Sequence, residues 1–324
     1  MRWRRRVNSS EQFRLFYVSD LHGSDLCFRK FLNAAAFYRV QALVLGGDLT
    51  GKAVVPIISR GTFWDAEFLG ERHKLVTEEE VAKLNEQIRF NGFYPWIADP
   101  EQVTRMSSDD AYAGVVFEQL MRESVQRWMD LADERLEGKD VAFCAIAGND
   151  DELYIDDILR ASEVTQFNDD AVVDLGTALI VGSSYSNPTP WDSPRELPED
   201  TLYERLRATF DTIDRKRPLI VNLHAPPHAS GLDDAPELTS DLSLKLVGGQ
   251  PSIVPVGSTA VRRIIEEVQP ILGLHGHIHE SRAVAKVGET LVVNPGSRYN
   301  EGVLDGVIVT LEDGRVTDYQ LVTG

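Results

Sequence analysis

Apolar residues fall in short runs along the chain, at 15–19, 42–45, 141–147, 178–181, 219–223, 271–274, 291–293 and 307–311. Each run is rich in Val, Ile and Leu and lacks the alternation of a half-exposed strand. Such runs predict strands covered on both faces. Polar residues close every one of them, and a last run at 316–322 predicts an additional edge strand. Between the runs the apolar spacing is helical. Ser24 can cap a helix reaching Tyr38, and Thr77 with Glu80 forms a capping box ahead of an amphipathic stretch to Arg89. The segment 109–137 predicts one long helix stopped by Gly138, 199–214 a helix following Pro198, and 258–268 a helix ending before Pro270. Strands alternating with helices predict an α/β fold.

Two stretches break the rhythm. The segment 52–140 puts about 90 residues between successive strands, where a simple crossover needs far fewer. Its pattern is mostly helical, so it predicts an inserted helical cap within a single 1–324 domain. Its aromatic residues Phe90, Phe93, Tyr94 and Trp96 pin the insert to the core or line a site beneath it. The second stretch, 229–257, is rich in Gly, Pro and Asp. It reads as a mobile loop at the site or as an oligomer contact.

Composition narrows the function classes. The chain has 324 residues, 43% hydrophobic and 26% charged, the profile of an ordinary globular protein with a sizeable core. Its net charge of −18 repels a phosphate backbone, so nucleic acid is not an expected partner. A phosphate-bearing substrate would need a local reversal of that field. Cys27 and Cys144 both lie in apolar runs and read as buried, reduced thiols. No apolar run reaches the roughly 18 residues of a membrane span. The basic start (Arg2, Arg4, Arg5, Arg6) has no apolar signal core after it and reads as a solvated terminus. A cytoplasmic protein without a membrane partner is the resulting expectation.

The chemistry sits where the runs end. Five of the seven histidines (His22, His224, His275, His277 and His279) come at or just after such ends, together with Asp20, Asp48, Asn149, Asp150 and Asp151. In an open α/β sheet the carboxyl ends of strands form the ligand crevice. Singly, each motif has an ordinary reading. Asp20-Leu21-His22 can cap a helix, Gly46-Gly47-Asp48 can be a tight turn, and Gly148-Asn149-Asp150-Asp151 can be an Asx-turn. Gly276-His277-Ile278-His279 is more often metal-binding than structural. His275, one residue out of phase with His277, is expected to face away. Together these residues form a mixed nitrogen and oxygen donor set without thiolates. It suits Mn, Fe, Zn, Co or Ni better than Ca or Mg. The donors exceed what one tetrahedral ion takes, so two divalent ions sharing a bridging carboxylate are the natural reading, with manganese favoured.

In this order the motifs resemble the calcineurin-like metallophosphoesterase superfamily, whose pattern is D-x-H, G-D, G-N-H-[DE], H and G-H-x-H. Here the pattern reads Asp20-Leu21-His22, Gly47-Asp48, Gly148-Asn149-Asp150-Asp151, His224 and Gly276-His277-Ile278-His279. Ser186-Asn187-Pro188-Thr189-Pro190, His224-Ala225-Pro226-Pro227, Gly276-His277-Ile278-His279-Glu280 and Asn294-Pro295-Gly296-Ser297 are similar to its prokaryotic subgroup related to cyclic-nucleotide phosphodiesterases. The resemblance implies a four-layer αββα sandwich of two mixed sheets. It implies one ion held by Asp20, His22, Asp48 and His279, and another held by Asp48, Asn149, His224 and His277. The implied activity is hydrolysis of a small-molecule phosphoester by a metal-bound hydroxide, with diesters favoured. The alternatives are a phosphomonoesterase or protein phosphatase, or a catalytically weak binding scaffold. One position departs from the pattern: Asp150 stands where the family has a histidine that handles the leaving oxygen or the phosphate. Asp150 itself and His228 are the candidate substitutes, and Asp151 is expected to orient a neighbouring ligand. A homo-oligomer, if formed, would use the insert or 229–257.

Overall fold

The strand β1 (Phe13–Val18) passes through the helix α1 (Asp25–Phe37) into β2 (Ala42–Leu45), which lies parallel to it. Ser24 caps α1 by accepting a bond from the Cys27 amide. This computed structural model describes residues 12–324, so the N-terminal arginine cluster lies outside the described residues.

After β2 the chain leaves the sheet and builds the insert. It runs through β3 (Val54–Ser59), β4 (Trp64–Phe68), β5 (Glu71–Leu75), α2 (Glu78–Phe90), β6 (Tyr94–Ala98), α3 (Pro100–Ser108) and α4 (Asp110–Leu136). The expected capping box at Thr77 and Glu80 starts α2, and Asp109 caps the long helix α4. The expectation of a helical cap needs correction, however. Four strands in the order β5-β4-β3-β6 form a separate sheet. Its apolar side (Ile57, Ala66, Phe68, Leu75) packs with Val81, Leu84 and Ile88 of α2 as a small core of its own. Charged residues facing outward on β4 and β5 mask these strands in the sequence.

The chain then re-enters the first sheet with β7 (Ala142–Ala145), and α5 (Ile155–Ala161) leads to β8 (Thr165–Phe167). The second sheet begins with β9 (Val172–Asp174), β10 (Leu179–Ser183), α6 (Glu199–Phe210) and β11 (Leu219–Leu223). The stretch 229–257 holds the short strands β12 (Asp234–Pro236), β13 (Leu246–Val247), β14 (Gln250–Pro251) and β15 (Ile253–Pro255), paired as two small ribbons. Next come α7 (Thr259–Val268), β16 (Leu272–Leu274), β17 (Ala283–Val287) and β18 (Thr290–Asn294). Finally β19 (Asp305–Glu312) and β20 (Arg315–Thr323) return to the first sheet, with β20 as the expected edge strand.

The two large sheets have the orders β20-β19-β1-β2-β7-β8 and β17-β18-β16-β11-β10-β9. Their inner faces meet through Leu15, Tyr17, Val44, Ile180, Ile220 and Val293. The first sheet is covered outside by α1, α4 and α5, with Phe28, Phe31 and Trp128 against Leu43 and Phe143. The second is covered by α6 and α7. This is the four-layer αββα sandwich expected, and it explains the lack of alternation: β2, β7 and β11 are buried at every residue. Cys27 and Cys144 are buried and unbonded to each other. Among the described residues no helix is long and apolar enough to cross a membrane.

Candidate metal centre

β1, β2 and β7 run parallel in one sheet, and β10, β11, β16 and β18 run parallel in the other. The loops leaving five of these strands (β1, β2, β7, β11 and β16) carry the motif residues into one cleft. Backbone bonds lock neighbouring loops together: Asp20 donates to the Gly47 carbonyl and His22 to the Asp48 carbonyl, both at 2.9 Å. Asp20, His22, Asp48 and His277 adopt the left-handed φ values 59°, 39°, 51° and 70°. Residues with side chains rarely take this conformation, and such strain concentrates at functional sites.

The donors gather in two groups. In the first, Asp20, His22, Asp48 and His279 each offer an atom lying within 4.8 Å of the others; in the second, Asp48, His224 and His277 do the same. Asp48 belongs to both. Its Oδ2 lies 3.6 Å from His22 Nε2, and its Oδ1 lies 3.4 Å from His224 Nε2. Asn149 Oδ1 joins the second group, 2.9 Å from His224 Nε2 and 2.7 Å from His277 Nδ1. Its amide nitrogen donates to Ser193 Oγ at 2.7 Å, which turns the oxygen inward. Nδ1 of His224 faces the Gly46 carbonyl at 2.8 Å and Nδ1 of His22 faces the Thr50 carbonyl at 3.3 Å. These carbonyls need a proton on Nδ1, which leaves Nε2 of each ring as the inward-facing ligand atom.

This donor set fits metal ions. His22 Nε2 and His279 Nε2 are 3.1 Å apart, and His279 Nε2 is 3.6 Å from Asp20 Oδ1. Two ligands bound at about 2.1 Å to one ion stand roughly 3.0–3.4 Å apart, so the first spacing is that of a coordination polyhedron's edge and the second is slightly longer. Electrostatics agrees. Burial and neighbouring charges bring His22 and His277 down to about 4, keeping both neutral. Burial works against the Asp48 carboxylate, yet His224, His22 and His277 hold it well below the usual range. His224, by contrast, is held up at about 10, because Asp48 and Asp20 outweigh its burial, so an ion binding at its Nε2 would have to displace a proton there.

The remaining expected residues divide. The buried Asp151 carboxylate accepts from the amides of Leu49, Thr50 and Gly148 at 3.0, 2.8 and 2.9 Å, tying the β2 and β7 loops together. Gly148 is required there: a Cβ would stand 2.1 Å from Asp48 Oδ1. Asp150 donates its backbone amide to Asp48 Oδ1 at 3.0 Å and pairs its carboxylate with Lys52 Nζ at 2.5 Å. His228 is half-exposed, with Asp233 as its carboxylate neighbour at 3.8 Å. His275 is buried away from the cleft, its Nδ1 2.8 Å from the Leu223 carbonyl.

Two residues at the cleft escape the sequence reading. Lys52 ends the Gly47-Asp48 loop, and although burial opposes it, Asp150 and Asp48 hold its ammonium above the usual lysine range. Tyr299 follows the Asn294-Pro295-Gly296-Ser297 stretch and lays its ring 4.7 Å from that of His22. A lone lysine or tyrosine carries no spacing signal. The one available clue was adjacency to a motif.

No protein-family model matches the chain. An uncharacterized protein of Methanocaldococcus jannaschii is 32% identical over 121 residues, which cover 37% of this chain and 48% of that protein. The chain thus spans about half the length of that curated relative. Among solved structures, one crystal structure matches with a TM-score of 0.56 at 15% identity over 97% of this chain and 99% of the other. The protein TT1561 of Thermus thermophilus matches with a TM-score of 0.52 at 14% identity, over the same shares of 97% and 99%. At such identities the likeness is one of fold, and it runs through the whole described sandwich. The chain thus shares its fold with these two structures, and the residues whose order resembles the metallophosphoesterase pattern stand together on the loops of one cleft, with Asp150 in place of that pattern's histidine.

Proposed function

We propose that this chain is a dinuclear metal-dependent phosphoesterase that hydrolyses phosphodiesters. The observation carrying this reading is the sharing of Asp48 between two donor groups. Asp20, His22, Asp48 and His279 would hold one ion, and Asp48, Asn149, His224 and His277 the other. Manganese suits the mixed nitrogen and oxygen set. When bound, such a pair of ions clamps a phosphoryl group and makes water nucleophilic near neutral pH.

The chain's own residues do the rest. The Nδ1 bonds to Gly46 and Thr50 fix the His224 and His22 rings, and Ser193 fixes the Asn149 amide. Asp151 holds the two loops that carry Asp48 and Asn149 in register. Asp150 takes a different role from the histidine it replaces in the family pattern. Its carboxylate holds Lys52, whose ammonium supplies positive charge for a phosphoryl oxygen. The Lys52–Asp150 pair is neutral in sum. That favours the single negative charge of a diester over the two of a monoester.

The experiment is release of p-nitrophenol from bis-p-nitrophenyl phosphate and from p-nitrophenyl phosphate, with Mn²⁺ added after chelation. Diester turnover that depends on Mn²⁺, exceeds monoester turnover and vanishes in Asp48→Asn is expected. Full turnover in Asp48→Asn with both ions still bound would defeat the shared-carboxylate model. Faster monoester turnover would assign the enzyme to the phosphomonoesterases.

A further inference from the structure

Several arginines gather on the helical side of the insert. Arg89, next to last in α2, and Arg127, in α4, both border an open pocket of about 680 Å³ together with Arg122, Glu123 and Ile158, three guanidinium groups against one carboxylate. The same two arginines border an adjoining pocket of about 300 Å³ with Arg29 and the carboxylates of Asp25, Asp130 and Glu134. Neither pocket includes a residue of the aspartate–histidine cleft.

In a chain with a net charge of −18, arginines can readily find carboxylates. These do not. Among the described residues Arg29, Arg89 and Arg127 make no ion pair, and the buried Arg89 Nε has no hydrogen-bond partner. Arg127 reaches only the hydroxyl of Ser124, at 3.2 Å. Carboxylates nearby are engaged elsewhere: Asp25 accepts from Trp128 Nε1 at 2.6 Å, Glu123 from Gln119 at 2.9 Å and Asp130 from Gln126 at 2.8 Å. Burial and the Arg89 charge both pull Arg127 below the ordinary guanidinium range. Asp25 and Glu123 draw it the other way, yet neither pairs directly with Arg89 or Arg127. Guanidinium groups facing one space without a direct ion pair are costly, and a bound anion offsets that cost.

We propose that Arg89 and Arg127 form a binding site for a small phosphate-bearing anion, separate from the aspartate–histidine cleft. Guanidinium groups present planar forks that match phosphate oxygens two at a time. The site spans the insert and α1, so the anion bridges the insert and the sandwich.

The test is calorimetric titration of inorganic phosphate into the metal-loaded full chain. Two binding events are expected, one at the cleft and one at the arginines. Arg89→Gln and Arg127→Gln should each weaken the second at least tenfold, leaving the first event and diester turnover in place. Phosphate-free thermal unfolding should show both variants as stable as the wild type or more so, because repulsion is relieved. A single wild-type event that Asp48→Asn abolishes would overturn the proposal, and so would two events unaffected by either arginine substitution. A lower unfolding temperature in both variants would also overturn it, by showing that the arginines hold the fold rather than a ligand. If the cleft binds no phosphate, a single event lost in Arg89→Gln still supports the arginine site while counting against the phosphoesterase reading.

Discussion

Asp20, His22, Asp48 and His277 hold left-handed backbone conformations whose cost is on the order of 1–3 kcal/mol each. The surrounding bonds impose them. The His277 amide, for example, donates to both carboxylate oxygens of Asp20 at 3.1 Å. Residue types and motif order made these positions legible in the sequence, because imidazoles and carboxylates at strand ends have few other uses in such number. Lys52 was not legible, since only the folded loop brings it to Asp150. Its role leads to a prediction at the same scale. A charge-assisted hydrogen bond to a phosphoryl oxygen is worth about 1.5–3 kcal/mol. Lys52→Ala should therefore raise KM for bis-p-nitrophenyl phosphate at least tenfold, with kcat changed less and Lys52→Arg partly restoring it. Elemental analysis should find the metal content unchanged. Loss of metal in Lys52→Ala would show instead that the lysine holds the cleft together.

At the scale of elements, the insert and the motif loops touch through backbone. Gly92 has a φ of 82°, and a Cβ there would stand 2.4 Å from the His22 carbonyl oxygen. The Gly51 amide donates to the Tyr94 hydroxyl at 2.6 Å, and Ser24 Oγ donates to the Phe90 carbonyl at 2.8 Å. The insert is thus fastened to the loops bearing His22 and Asp48. Gly92→Ala combines a strained φ with a clash against backbone that cannot swing aside. It should cost about 2 kcal/mol of stability by denaturant unfolding and lower turnover as His22 shifts. Unchanged values for both would mean that the insert and the His22 loop move independently. Tyr94 fulfils the expectation that the insert's aromatics pin it in place. The strands β4 and β5 escaped the sequence because Asp65, Glu67, Arg72 and Lys74 interrupt them, whereas α2 and α4 announced themselves by their caps.

For the whole molecule, the apolar runs disclosed the strands because helices cover one face of each sheet and the partner sheet covers the other. What the runs could not disclose was strand order: β19, far along the chain, lies between β1 and the edge strand β20. That order sets the parallel strand ends of both sheets side by side, so Asp20 and Asp48 from one sheet face His224, His277 and His279 from the other. Ions bound there would bridge the two sheets as well as the motifs. Binding to the folded state alone stabilises it by about 2.7 kcal/mol when free metal is 100-fold above its dissociation constant. With an unfolding entropy of about 2.1 cal/mol/K per residue, each kcal/mol moves the unfolding temperature of a chain of this length by roughly 1.5 °C. Chelation should therefore lower the unfolding temperature of the wild-type chain by about 4 °C for each ion lost, and added Mn²⁺ should restore it. Asp48→Asn, lacking the shared ligand, should respond little to either treatment. Differential scanning calorimetry of both proteins, with and without chelator, decides the matter. A wild-type transition indifferent to chelation and to Mn²⁺ would mean that the folded cleft holds no ions, and the sharing of Asp48 would then have no metal to serve.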